Sequence, residues 1–175
     1  MPTVSDALPI PREAAEFVHA LLLATRGLRA LEIGTSYGYS GLWIASALAA
    51  DGGRLITIDR EERKTQAARA AFEAAGLLDR VEPRTSYALD ILPSLAGPFD
   101  FVLNDADKEN CRRYVELLTD KLSDRAIVLT DNTLTHPAQL AGFLSWIRNH
   151  PGFVSAHVPI GNGMEMSVWM ARGDS

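Results

Sequence analysis

Apolar positions in this chain recur with two different periods. Ala14, Phe17, Val18, Leu21 and Leu22 follow the i, i+3, i+4, i+7, i+8 spacing of a helix with one buried face. Pro11 suits the first turn of that helix, and Gly27 stops it near Thr25. Beyond it, short apolar runs alternate with longer mixed segments. The runs predict strands at Ala30–Ile33, Leu55–Ile58, Arg80–Pro83, Phe99–Leu103, Ala126–Leu129, Val154–Pro159 and Met166–Met170. Helices are predicted at Ser40–Ala50, Arg60–Ala75, Ala88–Leu95, Glu109–Lys121 and Pro137–Asn149. The early runs are continuous rather than alternating, as expected of strands covered by helices on both faces. Gly161-Asn162-Gly163 leaves no room for a helix between the last two strands, so they should pair antiparallel. The pattern predicts one α/β domain over residues 1–175, with a doubly wound, mostly parallel sheet. A short leader and helix occupy 1–28, and the core occupies 29–171.

Composition narrows the function. A chain of 175 residues, 47% hydrophobic, suffices for one sizeable core. The net charge of −5 and the absence of any Lys/Arg block argue against a nucleic-acid partner, whose phosphates demand a basic face. Cys111 is the only cysteine, which excludes an intrachain disulfide and favours the cytoplasm. Met1 to Arg12 reads as neither a signal peptide nor a membrane span. His19, His150 and His157 read as surface or interface positions, and the three tryptophans as core.

Three groups of residues carry candidate chemistry. The first is the strand–loop–helix segment from Leu31 to Gly41, where glycine admits a ligand to the backbone and a helix N-terminus offers free N–H groups. Its glycines, Gly34, Gly38 and Gly41, do not form the dinucleotide fingerprint. Glu32 beside the loop would repel a pyrophosphate and attract a cationic ligand such as the ammonium or sulfonium of S-adenosylmethionine. The second group is Asp59, which ends the second strand and could accept hydrogen bonds from a ribose or cap the next helix. The third spans two strand ends, Asn104-Asp105-Ala106-Asp107-Lys108-Glu109-Asn110 and Thr130-Asp131-Asn132. Asp105, Asp131 and Asn132 are hard oxygen donors that suit Mg²⁺, Mn²⁺ or Ca²⁺, although each could instead cap a helix or form an Asx-turn. Lys108 follows Asp105 by three residues, so both can face one cavity from the first turn of a helix. His136 stands at the mouth of that rim, toward an acceptor or as a structural helix start.

Together these segments resemble the metal-dependent O-methyltransferases of the caffeoyl-CoA and catechol type. The resemblance covers Ala30 to Val168 and rests most heavily on Asp-Ala-Asp-Lys-Glu-Asn at 105–110. It implies the class I methyltransferase fold, with seven strands and a C-terminal antiparallel hairpin. It implies an S-adenosylmethionine site at Glu32, Gly34, Thr35, Tyr39, Ser40, Asp59, Ala88 and Asp107. It implies a divalent cation at Asp105, Asp131 and Asn132 that ligates two adjacent hydroxyls of a small catechol-like acceptor, with Lys108 as the base. The chain departs from the usual family pattern at Ser86-Tyr87-Ala88, at Asn104 and at Cys111. The helical region before the first strand and the segment after Asn132 are shorter than in the similar enzymes. A shorter lid implies an open pocket or one completed by a second subunit of a homodimer. Two other readings stand beside this one: a methyltransferase-like module that binds cofactor without turnover, and a metal-independent methyltransferase acting on another nucleophile.

Overall fold

A computed structural model describes residues 9–171; residues 1–8, most of the expected leader, and the last four lie outside it. Helix α1 (Arg12–Thr25) precedes strand β1 (Arg29–Ile33). Helix α2 (Tyr39–Ala49), β2 (Arg54–Asp59), α3 (Glu62–Ala74) and β3 (Val81–Thr85) follow. The chain continues with α4 (Ala88–Ile91), β4 (Phe99–Asn104), α5 (Cys111–Leu118) and β5 (Leu122–Asp131). Helix α6 (Pro137–Asn149) then leads to β6 (Phe153–Val158) and β7 (Met164–Trp169). One seven-stranded sheet results, in the order β3-β2-β1-β4-β5-β7-β6. Strands β1 to β5 are parallel, and β7 runs antiparallel to both β5 and β6.

Alternation along the strands sends side chains to two separate cores. Phe101, Leu103 and Leu129 pack with Val18, Ile44, Leu48 and Phe72 on the face covered by α1, α2 and α3. Leu31, Ile33, Val102 and Val128 pack with Val115, Leu118, Leu140 and Ile147 on the face covered by α5 and α6. This double coverage is why the strands read as continuous apolar runs.

Several boundaries differ from the sequence expectation. Pro11 stands before α1 as its cap, its carbonyl accepting the amides of Ala14 and Ala15 at 3.0 Å. The residue that turns the chain after α1 is Arg26, left-handed at φ 55°, rather than Gly27. Gly27 is small for another reason: a Cβ there would approach Leu22 Cδ2 to 2.9 Å. The expected Ala88–Leu95 helix is one α turn followed by a 3₁₀ turn at Leu92–Ser94, which carries Pro93. Strand β5 runs ten residues, so Asp131 closes the strand instead of following it. Helix α5 starts at Cys111, and Lys108 therefore sits in the preceding loop, not in a helical turn.

Candidate active site

The carboxyl ends of β1 to β5 open into one cleft of about 680 Å³. Its wall runs from Ser86–Asp90, past Asp59–Glu61 and Gly34, to Asp105–Asn110, Asn132 and His136. The rim is where an open parallel sheet exposes backbone and loop groups to a ligand.

Glycine at 34 permits the closest approach in this wall. Gly34 has φ 107°, and a Cβ there would lie 2.5 Å from the Asp105 carbonyl oxygen. The first loop can thus lie directly on the β4 loop, tied by the Asp105 amide to the Ile33 carbonyl at 3.0 Å. Gly38, at φ 89°, caps α2 and brings it against Ala68 of α3. Asp59 organises the same region. Its Oδ2 accepts the Ser36 amide at 2.8 Å and its Oδ1 the Glu61 amide at 3.0 Å. Its carboxylate thereby joins the first loop to the start of α3, while Asp59 still lines the cleft.

Glu32 lies one layer deeper. It is fully buried, accepts hydrogen bonds from Ser40 and from Thr57 (2.5 Å for the latter), and does not line the cleft. Thr57 also meets Thr35 at 2.6 Å, so the group forms a closed network of one carboxyl and three hydroxyls. Burial pushes the Glu32 carboxyl up to about 7, against the pull of Ser40 and Thr57, with Asp105 and Asp59 adding to the rise. Thr35, Ser40 and the exposed Tyr39 likewise lie outside the cleft wall. Of the loop and helix residues singled out from sequence, Gly34, Asp59, Ala88 and Asp107 line it.

At the β4–β5 end, Asp105 and Asp131 approach each other with Lys108 between them electrostatically. Asp105 Oδ1 accepts Asn132 Nδ2 at 2.8 Å and Lys108 Nζ at 3.4 Å. Lys108 Nζ also donates to the Ala106 carbonyl at 3.0 Å. Burial drives the Asp105 carboxyl up to about 7; Lys108 opposes the rise and Asp131 adds to it. Asp131 is raised chiefly by burial as well. Both its carboxylate oxygens are buried without a hydrogen-bond partner. Asn132 holds a left-handed backbone at φ 71°, a conformation that asparagine tolerates, and its Oδ1 accepts Thr135 Oγ1 at 3.1 Å. His136 precedes Pro137 as the cap of α6, and its amide donates to the Asn132 carbonyl at 2.9 Å.

A buried carboxylate without hydrogen-bond partners, a partly buried one beside it, both with raised affinity for protons, and an adjacent amide fit a hard divalent cation. Among the described residues, no three His, Cys, Asp or Glu side chains converge as a metal site, so a cation held here would need the amide oxygen of Asn132 as well. That oxygen now faces Thr135, and the amide must turn to present it.

Sequence reasoning missed two contributors, Asn110 and Tyr114. Asp107 Oδ1 accepts the Asn110 amide at 3.1 Å and Asn110 Nδ2 at 2.6 Å, and its Oδ2 accepts the Tyr114 hydroxyl at 2.5 Å. Tyr114 follows Asp107 by seven residues, two helical turns in a continuous helix, but the loop before α5 breaks that count. Of the histidines expected at the surface or an interface, His157 is exposed, whereas His150 and His19 are half-buried within this chain. His150 packs among Trp146, Phe153 and Trp169 at 5.2–5.9 Å between ring centroids, and half-buried His19 binds the Trp43 carbonyl at 3.0 Å. No helix among the described residues is long and apolar enough to cross a membrane.

Comparison with known proteins places this geometry in a family. Residues 2–141 match a family model described as O-methyltransferase. A catechol O-methyltransferase of Mycobacterium tuberculosis is 39% identical over 136 residues, 74% of this chain and 61% of the relative. A caffeoyl-CoA O-methyltransferase of Eucalyptus globulus is 31% identical over 74% of this chain and 54% of its own length. The chain thus spans about three fifths of the first curated relatives it matches. Among solved structures, an O-methyltransferase from Bacillus cereus in complex with SAH superposes with a TM-score of 0.85 at 29% identity, covering 93% of this chain and 83% of that one. TomG of Streptomyces achromogenes, an O-methyltransferase solved with SAM, gives 0.82 at 28% identity over 98% and 84%.

Proposed function

From the premise that the chain belongs to this O-methyltransferase family, we propose that its cleft binds S-adenosylmethionine and directs the methyl group to a hydroxyl of a small, catechol-like or vicinal-diol acceptor. The observation that carries the metal-dependent form of this reading is Asp131, whose two buried carboxylate oxygens lack partners beside the partly buried Asp105. Asp105, Asp131 and Asn132 would hold a divalent cation, Mg²⁺ foremost. Such a cation, when bound, lowers the pKa of an acceptor hydroxyl.

The chain's own residues supply the rest. Gly34, Asp59, Ala88 and Asp107 form the cofactor wall. Glu32, Thr35 and Ser40 act on the cofactor from behind that wall, by holding the loop in shape and by the field of the Glu32 carboxyl, while exposed Tyr39 would meet it from the start of α2. Lys108 takes the proton from the acceptor hydroxyl, and its bonds to Asp105 and the Ala106 carbonyl hold Nζ at the rim. The freed oxygen attacks the sulfonium methyl in line, so that one C–O bond forms as one C–S bond breaks. The protein contributes chiefly alignment and electrostatics. His136, beside Asn132 at the cleft mouth, meets the acceptor.

The test is methyl transfer from S-adenosylmethionine to catechol, with Mg²⁺ and after exhaustive EDTA treatment, alongside calorimetric binding of S-adenosylhomocysteine under both conditions. Cofactor binding in both and turnover only with Mg²⁺ are expected. Turnover that survives EDTA would refute the metal, and cofactor binding with no turnover on any diol would leave a binding module.

A further inference from the structure

Beside the acidic rim, Asn132, Thr135 and His136 form a chain of hydrogen bonds that ends in the cleft. The Thr135 hydroxyl oxygen lies 3.1 Å from Asn132 Oδ1 and 3.0 Å from His136 Nδ1. The other end of the Asn132 amide, Nδ2, donates to Asp105 Oδ1 at 2.8 Å. Charge dictates that direction. Asp105 Oδ1 also accepts Lys108 Nζ, so it meets the amide as an acceptor, and only the NH₂ end can face it. Half-buried His136 lines the cleft, and exposed Thr135 stands behind it.

A hydroxyl owns one hydrogen, and an amide has one end that gives and one that takes, so the roles along this chain are linked. With Nδ2 on Asp105, the Asn132 oxygen needs a hydrogen, and Thr135 supplies its own. The Thr135 oxygen then meets the ring as an acceptor. A neutral His136 must carry its hydrogen on Nδ1, which leaves Nε2 bare. Turning the amide reverses every role. With Oδ1 toward Asp105 and Asp131, Nδ2 gives a hydrogen to Thr135, the hydroxyl donates to Nδ1, and the ring hydrogen moves to Nε2. Thr135 occupies Nδ1 in both arrangements, so Nε2 is the nitrogen left for a ligand in the cleft.

Resting on the reading of Asp105, Asp131 and Asn132 as cation ligands, we infer that Thr135 is a positioning residue that couples the cation site to the tautomer of His136. A filled site requires Asn132 to present Oδ1, and Thr135 passes that turn of the amide to the imidazole. His136 then offers the cleft an N–H where it otherwise offers a lone pair. A bare Nε2 suits a protonated hydroxyl, which can donate to it. An Nε2–H suits an ionised oxygen, the form that an acceptor takes once Lys108 has removed its proton. With the site unfilled, the same oxygen would set lone pair against lone pair. The cleft is thereby matched to a phenolate-like oxygen only after the cation is in place.

The experiment reads the imidazole nitrogens of the full chain by long-range nitrogen–proton NMR, with and without saturating Mg²⁺. At about pH 8.5 an ordinary imidazole is neutral, so the spectrum reports tautomers. Loss of one signal in His136→Gln identifies the ring, and His19, His150 and His157 serve as internal controls. Adding Mg²⁺ should lower the ratio of Nδ1–H to Nε2–H at His136 by on the order of tenfold. Thr135→Val keeps the shape of this exposed side chain and removes its hydroxyl. It should reduce the change to about twofold or less, with calorimetric Mg²⁺ affinity within about threefold of the wild type. Thr135→Ser should restore the full change, which a merely structural role for residue 135 would not require. An unmoved wild-type ratio with Mg²⁺ demonstrably bound would overturn the inference and leave the cation reading standing. A Thr135→Val protein that still switches would overturn the role of Thr135. No calorimetric binding of Mg²⁺ would overturn the cation reading, and the inference with it.

Discussion

Replacing Glu32 by glutamine should flatten the pH dependence of stability. Glu32 is fully buried, and its carboxyl titrates near 7 instead of its ordinary 4.5. Between those values the folded state holds a proton that the unfolded chain has released. Stability therefore falls as pH rises from about 4.5 to about 7 and then levels off. A shift from 4.5 to about 7 is 2.5 pH units, or about 3 kcal/mol at the upper limit. Glutamine can keep the network intact: Oε1 still accepts from Ser40, Nε2 donates to Thr57, and Thr57 turns its hydrogen toward Thr35. The variant should match the wild type near pH 5 and exceed it near pH 8, by roughly 5–10 °C in Tm for a domain of this size. Thermal and urea unfolding of both proteins in EDTA, at half-unit pH steps, measures the difference and cancels the other titrating groups. Parallel stability curves across pH 5–8 would refute the reasoning.

Three further outcomes follow from the site and its frame. Lys108→Ala should lower kcat by on the order of 10²–10⁴ with S-adenosylhomocysteine affinity nearly unchanged, and raising pH should partly restore turnover of a phenolic acceptor; near-normal kcat at neutral pH would return Lys108 to a structural role. Asp131→Asn should stabilise the cation-free protein by about 1–2 kcal/mol, because it removes an unpartnered buried carboxylate. The same variant should lose the Mg²⁺-dependent rise in Tm seen by scanning calorimetry. Arg148→Ala should cost about 1–3 kcal/mol in urea unfolding, because Nε and Nη2 hold the fully buried Glu165 at 2.7 Å each, while the half-exposed arginine leaves a way for water to replace it.

Much of the architecture was readable because burial on both faces leaves so plain a mark. Val102 faces one core and Leu103 the other, and the run Phe101–Leu103 had to be apolar throughout. The rim was readable for a related reason: polar residues that interrupt such runs at Asp105 and Asp131 have nowhere to go but the strand ends. Side-chain direction was not readable in the same way. Glu32 stands beside a glycine loop in either case, and only the positions of Ser40 and Thr57 decide that its carboxyl turns inward. The pairing of Asp107 with Tyr114 depends on where α5 begins, and the shift of its start from Glu109 to Cys111 moves the contacts made from the loop before it. Position in sequence also concealed the place of β7. Turn chemistry at Gly161–Gly163 fixes its pairing with β6, but pairing with β5 is set by cores that local sequence does not describe.

That insertion of β7 between β5 and β6 governs when the site can exist during synthesis. Strands β1 to β5 are all synthesised before β7. Strand β5, which ends in Asp131, obtains its second neighbour only when Met164–Trp169 arrives, with Asp131 set opposite Met164. The segment after Asp131 depends on the turn just before β7: the Thr133 and Leu134 amides bond the carbonyls of Gly163 and Asn162 at 3.1 and 2.9 Å. The acidic end of the cleft is thus completed by the latest-made strand and the turn before it, and a nascent chain stalled earlier would carry Gly34 and Asp59 without the support beside Asp131.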